Sequence, residues 1–423
     1  MSEVQDIIGD PSCMDDFDPN SLAFEQALAR IETSISAITT TTRVPIRDAL
    51  DRVLGRDVKA NIDVPNRDNA AMDGYAVKAS DVPASGVKTL ELAGTSWAGH
   101  PCTSPVNDGQ CVRIMTGAVI PNGTDTVIMQ EDVERDGDQV RIGSGHPQGQ
   151  FVRTRGDDVE AGMLVLPKGK LISAADLGLL ATVGVNEVDV IRRPRVAFMS
   201  TGDELRSVGE ALGAGDVYDS NRYALFGMLT RLGVDLLDFG VIADKREAVR
   251  AAFEDASSNA DAVIVSGGAS VGDADFVHET LTAMGQVEFW KMAMKPGRPL
   301  AFGRINDALF FGLPGNPVSV IVTFYQFVTP ALKRLMGMPP GRPFRLTLPL
   351  AEGLRKRPGR LEFQRGIVER KADGSQQVVL AGGQGSHILS AMSRANCFIV
   401  LPLECGDLDA GEMVEVELFD GIV

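Results

Sequence analysis

Between residues 194 and 336 the chain alternates short apolar runs with helix-length segments, and this rhythm restricts the fold more than any other feature. Strands are expected over 195–199, 234–242 and 261–266. Helices are expected over 220–232, 247–256 and 276–284, with a long amphipathic helix over 317–336. Alternation at this pace predicts a parallel sheet wrapped by helices. Ligands of such sheets sit outside the carboxyl ends of the strands, so the loops after each strand become the first place to look for chemistry.

The flanking regions read differently. Asn20 or Ser21 is expected to cap a first helix carrying Leu28, Ile31, Ile35 and Ile38 at helical spacing. Residues 43–162 are rich in Gly, Pro, Asp and Thr. Short runs such as 126–129 and 139–142, separated by turns such as Asp136-Gly137, predict a β-rich insertion. Residues 171–190 read as helix then strand and are expected to pair with the first helix, which would make the first domain discontinuous. Residues 338–343 read as a linker. Only strands are expected beyond it, over 344–350, 361–369, 377–380, 397–401 and 413–418, as a small β-barrel or sandwich. The expected division is a discontinuous N-terminal domain (21–60 and 159–190), a β-rich insertion (61–158), an α/β domain (191–338) and a C-terminal β-barrel (339–423).

Composition removes several classes of function. The net charge of −16, from 41 basic and 57 acidic residues, argues against a nucleic-acid surface. The four histidines are far apart, and the five cysteines show no CxxC spacing, so neither a structural zinc nor a disulfide framework is expected. The acidic first twenty residues are expected to fray and not to form a signal peptide, and no later apolar run is long enough to span a membrane. A cytoplasmic location is expected.

Three loops concentrate the chemistry. The strand 261–266 runs straight into Gly267 and Gly268. Glycines there either let backbone N–H groups approach an anion or make a tight turn. Asp273 and Asp275 would repel a phosphate unless a cation sat between them, which points to magnesium; Asp275 also suits a helix N-cap. Lys291 and Lys295, four apart, share a face in strand or helix, with Trp290 and the neighbouring methionines in the core. Two like charges on one face also describe a solvated surface, but the rigid 296–299 loop favours a cationic site. Asn316-Pro317 reads as a helix N-cap and first helical residue. Glu204, after another strand, either faces a ligand or caps a turn. Asp244 to Glu247 fits a capping box. The polar stretches 67–75 and 155–158, and the pair Arg365 and Ser386, carry no claim alone.

Together these segments resemble the molybdopterin molybdenumtransferases, the MoeA family, which includes the E domain of gephyrin. The resemblance rests on 68–75 (DNAAMDGY), 113–118 (RIMTGA), 201–205 (TGDEL), 219–222 (DSNR), 266–275 (SGGASVGDAD), 295–299 (KPGRP), 313–319 (LPGNPVS) and 385–387 (GSH), in order from about Ser21 to the C-terminus. It implies a four-domain homodimer that inserts molybdate into the dithiolene of adenylylated molybdopterin, releasing AMP with magnesium. It also implies that a separate adenylyltransferase protein supplies the substrate.

The family's functional positions fall on Asp68, Thr116, Asp158, Glu204, Asp244, Asp275, Lys291, Lys295, Arg365 and Ser386. The resemblance implies magnesium at Asp275 with Glu204 or Asp244. With the glycine loop read above, the expected pterin-binding residues are Thr116, Glu204, Gly267, Gly268, Ser270, Pro314 and Gly315, and molybdate is expected at Arg365 and Ser386 with Lys295 beside them. Asp68, Asp158, Asp244, Lys291 and Lys295 are the expected catalytic groups, with Asp68 and Asp158 supplied by a neighbouring domain or subunit. Two rival readings are a molybdopterin adenylyltransferase, which shares the α/β module, and a gephyrin-like dimeric scaffold that binds a partner peptide.

Overall fold

The computed structural model describes residues 21–267, 276–338 and 341–423. They form two compact units: Thr41–Val190, and the residues up to Thr40 together with Ile191–Val423. The expected frayed tail, the Asn20 cap and part of the 338–343 linker fall outside the described residues.

In the second unit a six-stranded sheet runs in the order Asp235–Ile242, Arg195–Thr201, Ala262–Ser266, Ala308–Leu313, Pro299–Ile305, Gly285–Lys291. The first four pair in parallel, as the rhythm predicts, although Ala308–Leu313 is not among the three expected strands. The last two join antiparallel and form an edge that the rhythm does not announce.

Side chains alternate across the sheet with the strand period of two. Val196, Phe198, Ile264 and Phe311 face one core cluster with the helices Phe24–Ser34, Ser220–Leu232 and Pro317–Thr323. Ala197, Met199, Val263, Val265 and Phe310 face the other, with Arg246–Asn259 and Phe276–Met284. Each fully buried Val, Leu, Ile or Phe there contributes about 1.5–3 kcal/mol.

Several local expectations are corrected. The first helix is Phe24–Ser34, its N-cap is Ala23 rather than Ser21, and no side chain caps it. Ile35 is already extended, yet buried. The helix's apolar stripe enters the sheet core, with the Phe24 and Phe327 rings 5.1 Å apart and tilted by 48°. The helix Arg246–Asn259 starts one residue later than a capping box at Asp244 requires. Its N-cap is therefore Lys245, which has no side-chain acceptor to offer.

The 317–336 segment is almost wholly buried rather than amphipathic, because sheet and C-terminal strands cover opposite sides of it. It breaks into helices Pro317–Thr323 and Thr329–Leu335 around a π turn, Phe324–Val328. Pro330, which has no N–H to donate, lies just beyond that widened turn. The strongest helix signals are at Ser220–Leu232. Asp219 accepts the Arg222 N–H at 3.1 Å at the start, and Gly233 ends the helix with φ 71°.

In the C-terminal region Leu361–Arg370, Cys397–Leu401, Met413–Leu418 and Arg345–Pro349 are successive neighbours, and Gln376–Leu380 pairs with the first of them. A bridge between Leu350 and Val378 closes the ring. Leu348, Val378, Ile399, Val414 and Val416 fill this barrel. The region is not strands alone, since a short helix, Leu389–Arg394, interrupts it.

The Thr41–Val190 unit holds a second six-stranded sheet, ordered Thr126–Met129, Gly74–Val77, Gln110–Ile114, Val87–Ser96, Gln139–Gly143, Val133–Asp136. The Asp136-Gly137 signal is a hairpin turn, with Gly137 at φ 59°. Outside that sheet, Thr41–Pro45 pairs with Glu187–Ile191 and Val58–Lys59 with Leu164–Leu166. Ser173 and Asp176 form a full capping box on helix Ala174–Thr182.

Candidate functional site

Parallel pairing decides which loops meet. Thr201 is in register with Ile242, Ser200 with Ser266, and Ser266 with Leu313. The residues after these strands, Gly202 to Glu204, Ala243-Asp244, Gly267, and Pro314-Gly315, therefore share one sheet edge. Gly267 has φ 88°, and a Cβ there would lie 2.9 Å from the Thr201 carbonyl oxygen, so only glycine fits without strain. Its N–H donates to the Leu313 carbonyl at 3.1 Å. Gly267 therefore shapes the edge and does not itself spend its N–H on an anion. Gly268, Ser270, Asp273 and Asp275 lie outside the described residues.

The acids at this edge are exposed or half-buried. The Glu204 carboxylate folds against Gly202, where a Cβ would meet Oε2 at 2.7 Å. The Asp244 N–H donates to Asp203 Oδ1 at 3.2 Å, which ties the two acidic loops together. Buried Asn221 sits beneath them. Its amide donates to Ser266 Oγ at 2.8 Å and to the Gly315 carbonyl at 2.7 Å, clamping two of the loops. Asn221 lies within the DSNR match, but a lone Asn in a helix gives no sign of where it reaches. A Cβ on Gly315 would meet open space, so packing does not demand glycine there.

The cations stand beside this edge. Trp290, Met292 and Met294 are buried, while Lys291 and Lys295 are exposed on one face, as their spacing predicts. Leu22 clips the segment from the side: its N–H donates to the Lys291 carbonyl at 2.7 Å and its carbonyl accepts from Ala293 at 2.9 Å. Gly297 packs on the helix Pro317–Thr323, where a Cβ would come within 2.5 Å of Thr323 Oγ1. Asn316 is that helix's N-cap and Pro317 its first residue, although the Asn316 side chain makes no cap bond.

Met294–Lys295 then pairs with the start of Leu361–Arg370, so Lys295 is in register with Glu362. Three residues along that strand lies Arg365, which is 1% exposed. Its Nη2 donates to the carbonyls of Gly383 (2.9 Å) and Gly385 (3.0 Å), and its Nε is buried with no hydrogen-bond partner among the described residues. Burial pulls its pKa down to about 10. A buried guanidinium without a carboxylate is costly and is relieved by an anion. Ser386 follows Gly385, and its carbonyl accepts the Val318 N–H at 3.1 Å. The stretch from Leu313 to Val318 therefore touches the glycine loop at one end and the Arg365–Ser386 loop at the other.

The remaining candidates belong to the Thr41–Val190 unit. Asp68 Oδ1 accepts the Arg155 N–H at 2.7 Å, and the Asp158 N–H donates to the Val64 carbonyl at 2.9 Å. The adjoining strands Asn69–Ala70 and Val152–Arg153 are paired, so the two acids occupy neighbouring chain crossings. The Thr116 N–H and hydroxyl both donate to Asp73 Oδ1, at 2.7 and 2.8 Å. Those Thr116 bonds hold the Asp73 carboxyl below the usual range. The sequence reading overlooked Asp73, although it lies inside the quoted 68–75 segment.

Three family models match the chain in order: the MoeA N-terminal region (domain I and II) over 22–184, a probable molybdopterin binding domain over 197–334, and the MoeA C-terminal region (domain IV) over 347–419. A molybdopterin molybdenumtransferase of Haemophilus influenzae is 43% identical over 404 residues, covering 95% of this chain and 100% of the relative. One from a Nostoc species is 36% identical over 86% of each chain. A crystal structure of a molybdopterin biosynthesis MoeA protein from Pyrococcus horikosii superposes with a TM-score of 0.79, at 32% identity, covering 95% of this chain and 100% of that one.

Proposed function

The chain belongs to the molybdopterin molybdenumtransferase (MoeA) family, and on that premise we propose that it inserts molybdate into the dithiolene of adenylylated molybdopterin with magnesium-dependent release of AMP. It is thus an enzyme of molybdenum cofactor biosynthesis. The observation that carries the finer reading is the continuity of one surface. The Leu313 carbonyl holds Gly267, the Gly315 carbonyl is held by Asn221, and the Val318 N–H is held by Ser386 beside buried Arg365. A pterin lying across the strand ends would thereby bring its dithiolene towards the Arg365 loop.

Each residue then has a task. Gly267, Pro314 and Gly315 take the pterin at the strand ends; Gly268, Ser270 and Thr116 are further candidates to bind it. Arg365 and Ser386 hold molybdate, with Lys295 beside them. Lys291 and Lys295 stabilise the charge that develops as AMP departs. Holding the two oxyanionic partners side by side supplies most of the rate through positioning.

Glu204 and Asp244 offer the hard carboxylate oxygens that magnesium takes, with Asp275 as the third donor. Among the described residues no three His, Cys, Asp or Glu side chains gather as a ready-made metal site. The ion, when bound, offsets the phosphate charge. Asp68 and Asp158 act from a neighbouring domain or the second subunit of a homodimer. A separate adenylyltransferase supplies the substrate.

The test is AMP release from adenylylated molybdopterin, with and without molybdate and magnesium. Release that requires both, together with a molybdenum-loaded pterin, is the expected result. Folded protein that releases no AMP under any of these conditions overturns the reading.

A further inference from the structure

Behind Lys295 lies a buried polar group that the mechanism above does not use. Lys295 Nζ is 3.4 Å from Glu362 Oε1, with the lysine side chain 49% exposed and the glutamate 6%. The other Glu362 oxygen accepts the Gln364 amide at 3.0 Å, and that amide also donates to the Arg355 carbonyl at 3.1 Å. Deeper still is Lys356, buried, with its ammonium on the carbonyls of Cys405 (2.9 Å), Arg357 (3.2 Å) and Leu403 (3.5 Å). Glu362 attracts Lys356 and Lys295 repels it, so the three charges form one electrostatic group. Exposed Glu404 adds an attraction that solvent screens.

Paired carboxylates usually cancel the cation they hold, which would spoil a lysine meant for an oxyanion. Here the carboxylate touches the Lys295 ammonium directly, while Lys356, whose hydrogen bonds go to carbonyls, acts on it only through its charge, so Lys295 is tethered while the group keeps a net positive charge. The tether takes one of the three ammonium donors and leaves two for a ligand. We infer that Glu362 is a positioning residue: fixed by Gln364 and offset by Lys356, it sets the direction of the Lys295 ammonium without neutralising it. The inference rests on the proposed role of Lys295.

The test is a double-mutant cycle in the full-length protein, read as molybdate-dependent AMP release with molybdate varied and a melting temperature for each variant. Lys295→Ala should lower turnover. Glu362→Gln, the same shape without the charge, should lower it about tenfold in the wild-type background and less than about twofold in Lys295→Ala. A Glu362→Gln loss that multiplies in full with Lys295→Ala, or no loss at all, overturns the inference and leaves the proposed function standing. If Lys295→Ala alone retains full activity, the proposed role of Lys295 fails first, and the inference with it. Should Glu362→Gln not fold, Gln364→Met releases the same carboxylate while keeping all three charges. It should give a smaller loss that again disappears in Lys295→Ala.

Discussion

At the carboxyl ends of the parallel strands the structure is built from backbone. Gly267 turns under Thr201, the Gly315 carbonyl is clamped by Asn221, and the acids are exposed or half-buried around the rim. In the barrel the materials are buried ionic residues: Arg365, Lys356, Glu362 and Glu417, each almost wholly buried. A backbone site depends on conformation and fails by strain. A side-chain site depends on paired charges and fails by losing a partner. The same chain therefore predicts two kinds of mutant phenotype.

The largest effect should come from the barrel. Arg365→Met should lower AMP release about 100- to 1,000-fold, the range for removing one donor to a reacting oxyanion, while circular dichroism shows an intact fold. Arg365→Lys should rescue little, because an ammonium cannot reproduce the planar guanidinium, which holds the Gly383 and Gly385 carbonyls with Nη2 and keeps its other nitrogens for a ligand. An active Arg365→Lys would place the guanidinium outside the chemistry.

At the sheet edge the expected loss is of stability. Gly267→Ala must carry a side chain at φ 88° against the Thr201 carbonyl and should cost about 1–3 kcal/mol in chemical unfolding. An unchanged unfolding midpoint would mean that the loop relaxes freely, and the contrast between the two regions would weaken.

The smallest effect separates them by pH. Glu417 is fully buried, with its oxygens on Gln326 Nε2 (2.8 Å) and Arg345 Nε (3.2 Å). Burial raises its pKa above the ordinary range despite both partners. The folded state thus holds this proton more tightly than the unfolded chain. That contribution is fully present below the unfolded pKa and is lost as pH rises through the folded value. Glu417→Gln should flatten this fall in urea unfolding followed upward from the ordinary glutamate range. Gly267→Ala should leave the pH slope as in the wild type.

The two regions also differed in how much of them could be read beforehand. Strand–helix alternation located three of the four parallel strands and most helix spans, because a buried strand followed by a glycine is a local pattern; it did not find Ala308–Leu313. The register of those strands then brought Glu204, Asp244, Gly267 and Gly315 to one edge. Arg365 and Ser386 were mute without the family resemblance, since nothing local says that an arginine on a strand will be buried. Glu362, Gln364 and Lys356 gave no signal, because their meaning lies in contacts across the barrel. Local rules failed where tertiary packing overrode them. The helix beginning at Arg246 ignored the acid poised to cap it, and residues 317–335 buried the face expected to meet water.

The hydrogen bond from the Val318 N–H to the Ser386 carbonyl has a consequence for how this chain can be recombined. It makes the α/β layer and the barrel joint owners of a single stretch of backbone, so a swap of either module for a relative's cannot be clean. A chimera joined in the 338–343 connection would bring in a foreign 382–388 loop. That loop must present a carbonyl to Val318 at the same place. If it does not, the glycine-lined edge and the guanidinium lose their common ruler, even with every catalytic residue type still present.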